Sequence, residues 1–179
     1  LDGEEQFEQS GYSVALSDDG NRLAVGAPGG NSNRGLVRVF AWSGSEWSQL
    51  GATLSGDAAY DAAGWAVAMS ADGGRLAVGA PGHDASGPNA GRVSVYAWSG
   101  SAWTLLGVTD GEAENDFAGR SIALSADGSR LAVGAAKNDD GGSDAGHVRV
   151  HTWSGSAWNQ LGADVDGRAA HDQSGRSVA

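Results

Sequence analysis

The sequence holds 179 residues, 40% of them hydrophobic, which is enough for one domain with a sizeable core, and its net charge of −11 sets it against nucleic acid and anionic membrane surfaces. It has no cysteine, so a disulfide framework and a thiolate metal site are both excluded. No apolar run approaches the roughly 18 residues of a membrane span, so membrane insertion is not expected.

Thirty glycines against three prolines, with Val, Ala and Leu at most apolar positions, describe short strands joined by tight turns. The first residue is Leu1 rather than Met, which leaves a leader or an upstream segment open. In chain order, a first strand is expected over 13–17, with Val14 and Leu16 on one face. The hairpin turn Asp19-Gly20 follows, then a second strand over 22–27 that sets Leu23 and Val25 against the small Ala24 and Gly26. Small residues there allow a neighbouring sheet to come close. A third strand spans 36–42, alternating Val37 and Val39 with Arg38, Phe40 and Trp42, and the turn Ser43-Gly44-Ser45 leads to a fourth around Trp47 to Leu50.

The same pattern then returns. Asp19-Gly20 recurs as Asp72-Gly73 and Asp127-Gly128, and the pair Trp42 and Trp47 as Trp98 and Trp103, then Trp153 and Trp158. An Asp-x-x-Gly anchor stands at Asp61/Gly64, Asp116/Gly119 and Asp172/Gly175, with Glu8/Gly11 as an altered first copy. A four-stranded antiparallel unit of about 50 residues in tandem is the signature of a β-propeller blade. The expected fold is all-β: three complete blades plus a partial strand of a fourth, with 1–11 as the end of a preceding blade or loop, 12–57, 65–111 and 120–167 as blades, and 175–179 opening the next. Three blades do not make a closed ring, so completion is expected from further blades of a longer chain or from further copies of the chain.

The motifs Gly-x-x-Val-Ala-Leu-Ser, Asp-Gly-x-Arg-Leu-Ala-Val-Gly-Ala-Pro and Gly-x-Val-x-Val-x-x-Trp-Ser-Gly resemble FG-GAP repeats, the propeller family that includes the integrin α-subunit head. Gly-Ala-Pro stands at Gly26-Ala27-Pro28 and Gly79-Ala80-Pro81, altered to Gly134-Ala135-Ala136, while the residue before each anchor Gly is Ser10, Ala63, Ala118 or Ser174 instead of Phe. Integrin-like repeats often carry an Asp-rich calcium loop between the first two strands; here that connection is a short hairpin such as Ser17-Asp18-Asp19-Gly20-Asn21, with too few carboxylates for calcium. The resemblance implies a non-enzymatic scaffold or adhesion protein, extracellular or at the cell surface, that uses its propeller for protein–protein interaction. A glycan-binding or polysaccharide-active propeller is the alternative.

Strand topology sorts the loops onto two faces. One receives only tight turns; the other receives the long connections between second and third strands and between successive blades, with most of the 22 acidic residues. Asp110, Glu112, Glu114 and Asp84 on that face are the candidate binding residues for cations or a basic partner. Asn138, Asp140 and Asp144, oxygen donors around Gly141-Gly142, are the candidate metal ligands, with calcium as the candidate ion. The Asp of each Asp-x-x-Gly anchor is expected to accept backbone N–H bonds inside its loop. His147 and His151 share a strand face, but the matching positions carry Leu36/Phe40 and Arg92/Tyr96, which favours packing or surface roles. Trp65 alone among the tryptophans stands outside the repeat, at the start of an inner strand, where an aromatic can line a channel and stack a sugar.

Overall fold

The structure is a computed structural model and describes residues 3, 4 and 6–179; Leu1, Asp2 and Glu5, inside the expected leading segment 1–11, lie outside the described residues. Three antiparallel sheets follow one another along the chain. The first contains β1 (Ser13–Leu16), β2 (Arg22–Ala27), β3 (Leu36–Trp42), β4 (Trp47–Gln49) and β5 (Leu54–Ser55). Because β4 and β5 both pair with β3, they are two pieces of one outer strand. The second sheet contains β6 (Ala66–Met69), β7 (Arg75–Ala80), β8 (Arg92–Trp98) and β9 (Trp103–Asp110). The third repeats the first, with β10 (Ser121–Leu124), β11 (Arg130–Ala135), β12 (His147–Trp153), β13 (Trp158–Gln160) and β14 (Val165–Asp166). The first strands β1, β6 and β10 lie beside one another at the hub, and the sheets are three blades in an arc that does not close.

The interrupted and continuous outer strands have a plain cause in the sequence. Between Trp and the next blade's loop, the second copy is one residue shorter than the other two. The extra residue in the first and third copies breaks the ladder at Gly51 and Gly162, both at φ +81°, whereas the shorter copy runs unbroken with a bulge opposite Val95 and Tyr96.

Each core lies between two blades. Ala24, Val37 and Val39 of the first blade meet Met69, Leu76, Val78 and Trp103 of the second. On its other side the second blade offers Ala77, Val93 and Val95 to Ile122, Leu131 and Val133 of the third. Strand alternation makes this possible, since successive side chains point to opposite faces and a blade covered on both sides buries both sets. Val14 and Leu16 on the uncovered side of the first blade are 60% and 57% exposed, while Met69, at the position of Leu16, is 9% exposed.

Close approach depends on glycine at the fifth position of the second strand. A Cβ on Gly26 would stand 2.2 Å from the carbonyl oxygen of Gly64, and one on Gly79 would stand 2.1 Å from that of Gly119. The Ser13 and Ser121 hydroxyls donate to the Gly64 and Gly175 carbonyls at 2.7 and 2.6 Å, tying each blade to the loop of the next. At the opposite end, the Arg22 and Arg75 guanidinium groups donate to the Gly73 and Gly128 carbonyls of the following blade's hairpin turn, at 2.9 and 2.7 Å. Side chains close the corresponding turn of the first blade: the Ser17 hydroxyl and the Asn21 amide both donate to Asp19 Oδ1, at 2.6 and 2.9 Å, and these bonds hold the exposed Asp19 carboxyl down at about 2.

Candidate functional site

The loop-rich face is built on the connection between blades. In each, the anchor carboxylate turns inward and accepts backbone N–H groups of its own loop. Asp61 Oδ2 accepts from Ala58 at 2.8 Å, Asp116 Oδ2 from Ala113 at 3.0 Å, and Asp172 Oδ2 from Arg168 and Ala169, both at 2.9 Å. Glu8 does the same toward Glu4 at 2.9 Å. Asp61 and Asp116 are buried. The expected internal role of the anchor is therefore seen in every copy.

With its ends pinned, the loop is clamped by the flanking blades. Ala62 and Ala63 donate to the Asn33 and Arg34 carbonyls behind them, and Gly82 of the blade ahead donates to Asp61. The residue after each anchor Gly then enters the first strand at the hub. That position carries Tyr12, Trp65, Arg120 and Arg176, each different in setting from the repeated residues around it.

These four side chains converge. With Ala136, Lys137 and Gln173 they line an open cleft of about 440 Å³ at the hub. Tyr12 and Trp65 stack tilted, with ring centroids 4.8 Å apart and planes at 53°. The Arg120 guanidinium lies 5.5 Å from the Trp65 ring and 4.1 Å from the Phe117 ring. Among the described residues neither Arg120 nor Arg176 forms an ion pair with a carboxylate; Arg176 donates to the Gln173 side chain at 3.0 Å. Lys137 is paired with Asp144 at 2.7 Å. An aromatic pair ringed by guanidinium groups is suited to a flat or acidic group, because the rings supply stacking area and the cations stay charged at any physiological pH.

The acidic residues singled out in the sequence fall elsewhere and are largely engaged. Asp110 makes a two-point pair with Arg92, at 2.6 and 3.1 Å. Glu112 lies 3.2 Å from Arg149, and Asp84 accepts the Asn89 amide at 2.8 Å. Glu114 accepts from Asn115 at 3.4 Å. In the Gly141-Gly142 loop, Asn138 is buried and donates to Asp116 at 3.1 Å while accepting the Asp140 amide at 3.0 Å. Lys137 and then the nearby His171 hold the Asp144 carboxyl below its ordinary value. Of the three donors, Asp140 alone reaches a cluster of potential ligands, Glu112, Asp140, His147 and Asp164. A second cluster joins Asp57, Asp61 and His83. Neither was legible as a group in the sequence, because each draws on two loops and, in the first, on β12 and the break between β13 and β14 as well.

Residues 47–96 match the family model of the FG-GAP repeat. No curated protein is matched by the sequence. Solved structures that resemble the chain include a Bacteroides uniformis protein described as a 6-phosphogluconolactonase (TM-score 0.58, 13% identity, 86% of this chain and 39% of that one). They also include Saccharomyces cerevisiae Sqt1 (0.57, 14%, 93% and 38%) and Kuenenia stuttgartiensis hydrazine synthase (0.53, 14%, 94% and 40%). At these identities the likeness is one of fold, and the chain spans at most 40% of the length of each. The matched repeat runs from the outer strand of the first blade to the third strand of the second, so repeat and blade are offset by one strand. With that repeat matched over residues 47–96 and its strand register reproduced in the sheets on either side, the chain contains an FG-GAP repeat and is built as β-propeller blades.

Proposed function

We propose that the chain is the binding part of a non-enzymatic scaffold or adhesion protein, outside the cell or on its surface, and that its propeller engages a partner protein through the hub cleft. One observation carries this reading. At the single repeat position that faces the hub from each blade, an otherwise faithful repeat diverges into Tyr12, Trp65, Arg120 and Arg176, and those residues line one cleft. Geometry explains residues that repeat; a position that carries three residue types in four copies and gathers them in one place is better explained by a ligand. Guanidinium groups and stacked rings bind well and transfer protons poorly, which supports binding over catalysis. No helix among the described residues is long and apolar enough to cross a membrane. Further blades, from a longer chain or from other copies, would complete the ring.

The chemistry selects an acidic segment as the partner's contact. A second reading, an anionic glycan, is favoured by the Tyr12–Trp65 platform, since sugar rings stack on such faces. Parallel screens of acidic peptides and of glycans bearing carboxylate or sulfate groups separate the two. Trp65→Ala is expected to lower binding to whichever class is retained by about tenfold, or about 1.4 kcal/mol. Retention of basic ligands only, or equal binding by wild type and Trp65→Ala, would overturn the reading.

A further inference from the structure

The first residue of the third strand, where the inter-blade loop meets it, is Leu36, Arg92 or His147 in the three blades. In the first blade that position is apolar, and Arg38, two residues further on, pairs with Glu8 at 2.7 Å and Glu4 at 3.4 Å. In the second, Arg92 fills it and pairs with Asp110 and Asp57, at 2.6 and 3.2 Å. In both blades a guanidinium near the strand start lies against nearby carboxylates. In the third, His147 stands at the position of Leu36 and Arg92, while Arg149, the counterpart of Arg38, pairs with Glu112 at 3.2 Å. Around His147 stand Glu112 from the inter-blade loop, Asp140 from the loop before the strand, and Asp164 from the break between β13 and β14, with donor atoms all within 4.8 Å of one another.

His147 is 1% exposed, and among the described residues neither of its ring nitrogens has a hydrogen-bond partner. Its Nδ1 points at two carboxylates without reaching hydrogen-bond distance: 3.7 Å to Glu112 and 3.6 Å to Asp164. A buried imidazole normally finds partners, because leaving it bare costs the desolvation of both nitrogens. Adjacent ligands of a tetrahedral zinc ion, with bonds of about 2.1 Å, stand about 3.4 Å apart, a few tenths of an ångström from these separations. Charge agrees. Arg149 lies 3.2 Å from Glu112, so three carboxylates less one guanidinium leave two negative charges, the amount a divalent ion cancels.

We infer that Glu112, Asp140, His147 and Asp164 form a site for a divalent transition-metal ion, zinc in the first instance. One imidazole with three carboxylates suits zinc or manganese better than calcium, which takes six to eight oxygens. The ion joins the loop between the second and third blades to β12 and two connecting segments of the third, so it acts as a staple across that blade boundary.

Calorimetric titration of the full chain with Zn²⁺ near neutral pH is expected to give one site, with a shift of the His147 ring resonances in the NMR spectrum. Asp140→Asn changes an exposed loop residue and keeps the fold; it is expected to weaken binding about tenfold or more. The control, Asp57→Asn in the second blade's cluster, leaves binding unchanged. No Zn²⁺ heat up to millimolar concentration overturns the site. So does binding that survives both Asp140→Asn and His147→Gln, which would mark adventitious metal on other histidines.

Discussion

His151 occupies the register position of Phe40 and Tyr96, each paired across the ladder with a leucine, here Leu131. Burial, and then the charge of Arg149, push its pKa down from 6.5 to about 4, and its Nε2 has no hydrogen-bond partner among the described residues. An unfolded chain takes up the proton near pH 6.5 and the folded one only near pH 4. Acidification through that window therefore favours unfolding. His151→Phe, which restores the residue of the first blade, is expected to remove this component. Urea midpoints for the two proteins should diverge as pH falls from 6.5 toward 4, and a constant difference across the window would contradict the assignment. Asp116 makes the complementary case. Its Oδ2 serves both the Ala113 amide and the buried Asn138 side chain, so Asp116→Ala leaves two donors bare. A loss of about 2 kcal/mol in denaturant unfolding is expected, against about 0.5 kcal/mol or less for the exposed Glu114→Ala.

At the scale of the strand and loop, the glycines divide by mechanism. Gly79 has no room for a Cβ, which would stand 2.1 Å from the Gly119 carbonyl oxygen of the neighbouring blade. Gly100 has open space around it and φ of +95°, so its demand is conformational. Gly79→Ala is expected to cost about 3 kcal/mol by forcing two blades apart, and Gly100→Ala about 1–2 kcal/mol by strain alone. Thermal unfolding of both variants checks the order; an equal or reversed order would mean that the blades yield easily. Strands such as Arg22–Ala27 and Leu36–Trp42 were readable to the residue because alternation, Asp-Gly turns and the Trp pair all repeat. Less was readable where a single residue shifts the backbone. One residue fewer after Trp103 makes β9 continuous, yet sequence alone does not say whether a strand bulges or breaks. The consequence reaches the next blade: Trp103 Nε1 donates to the Leu50 carbonyl at 3.0 Å, whereas Trp158 Nε1, facing the continuous β9, has no partner among the described residues.

Across the whole molecule, the blades form two sandwiched cores and two uncovered faces, and the hub gathers what the individual repeats keep apart. Fold and repeat were legible in the sequence, as was the odd standing of Trp65. The meeting of Trp65 with Tyr12, Arg120 and Arg176 was not, because these residues lie more than 50 positions apart and only the blade arrangement brings them to one cleft. The acidic loops drew attention by their number, but Asp110, Glu112 and Asp84 are held by Arg92, Arg149 and the Asn89 amide. Composition counts charges without showing which are already paired. The most direct measurement is therefore a binding titration of a retained acidic ligand against two charge-reversed proteins, Arg120→Glu with Arg176→Glu at the hub and Glu114→Lys on the loop face. The hub reversal is expected to abolish binding and the loop reversal to leave it intact, whereas loss with Glu114→Lys and retention with the hub pair would move the function from the hub to the acidic loops.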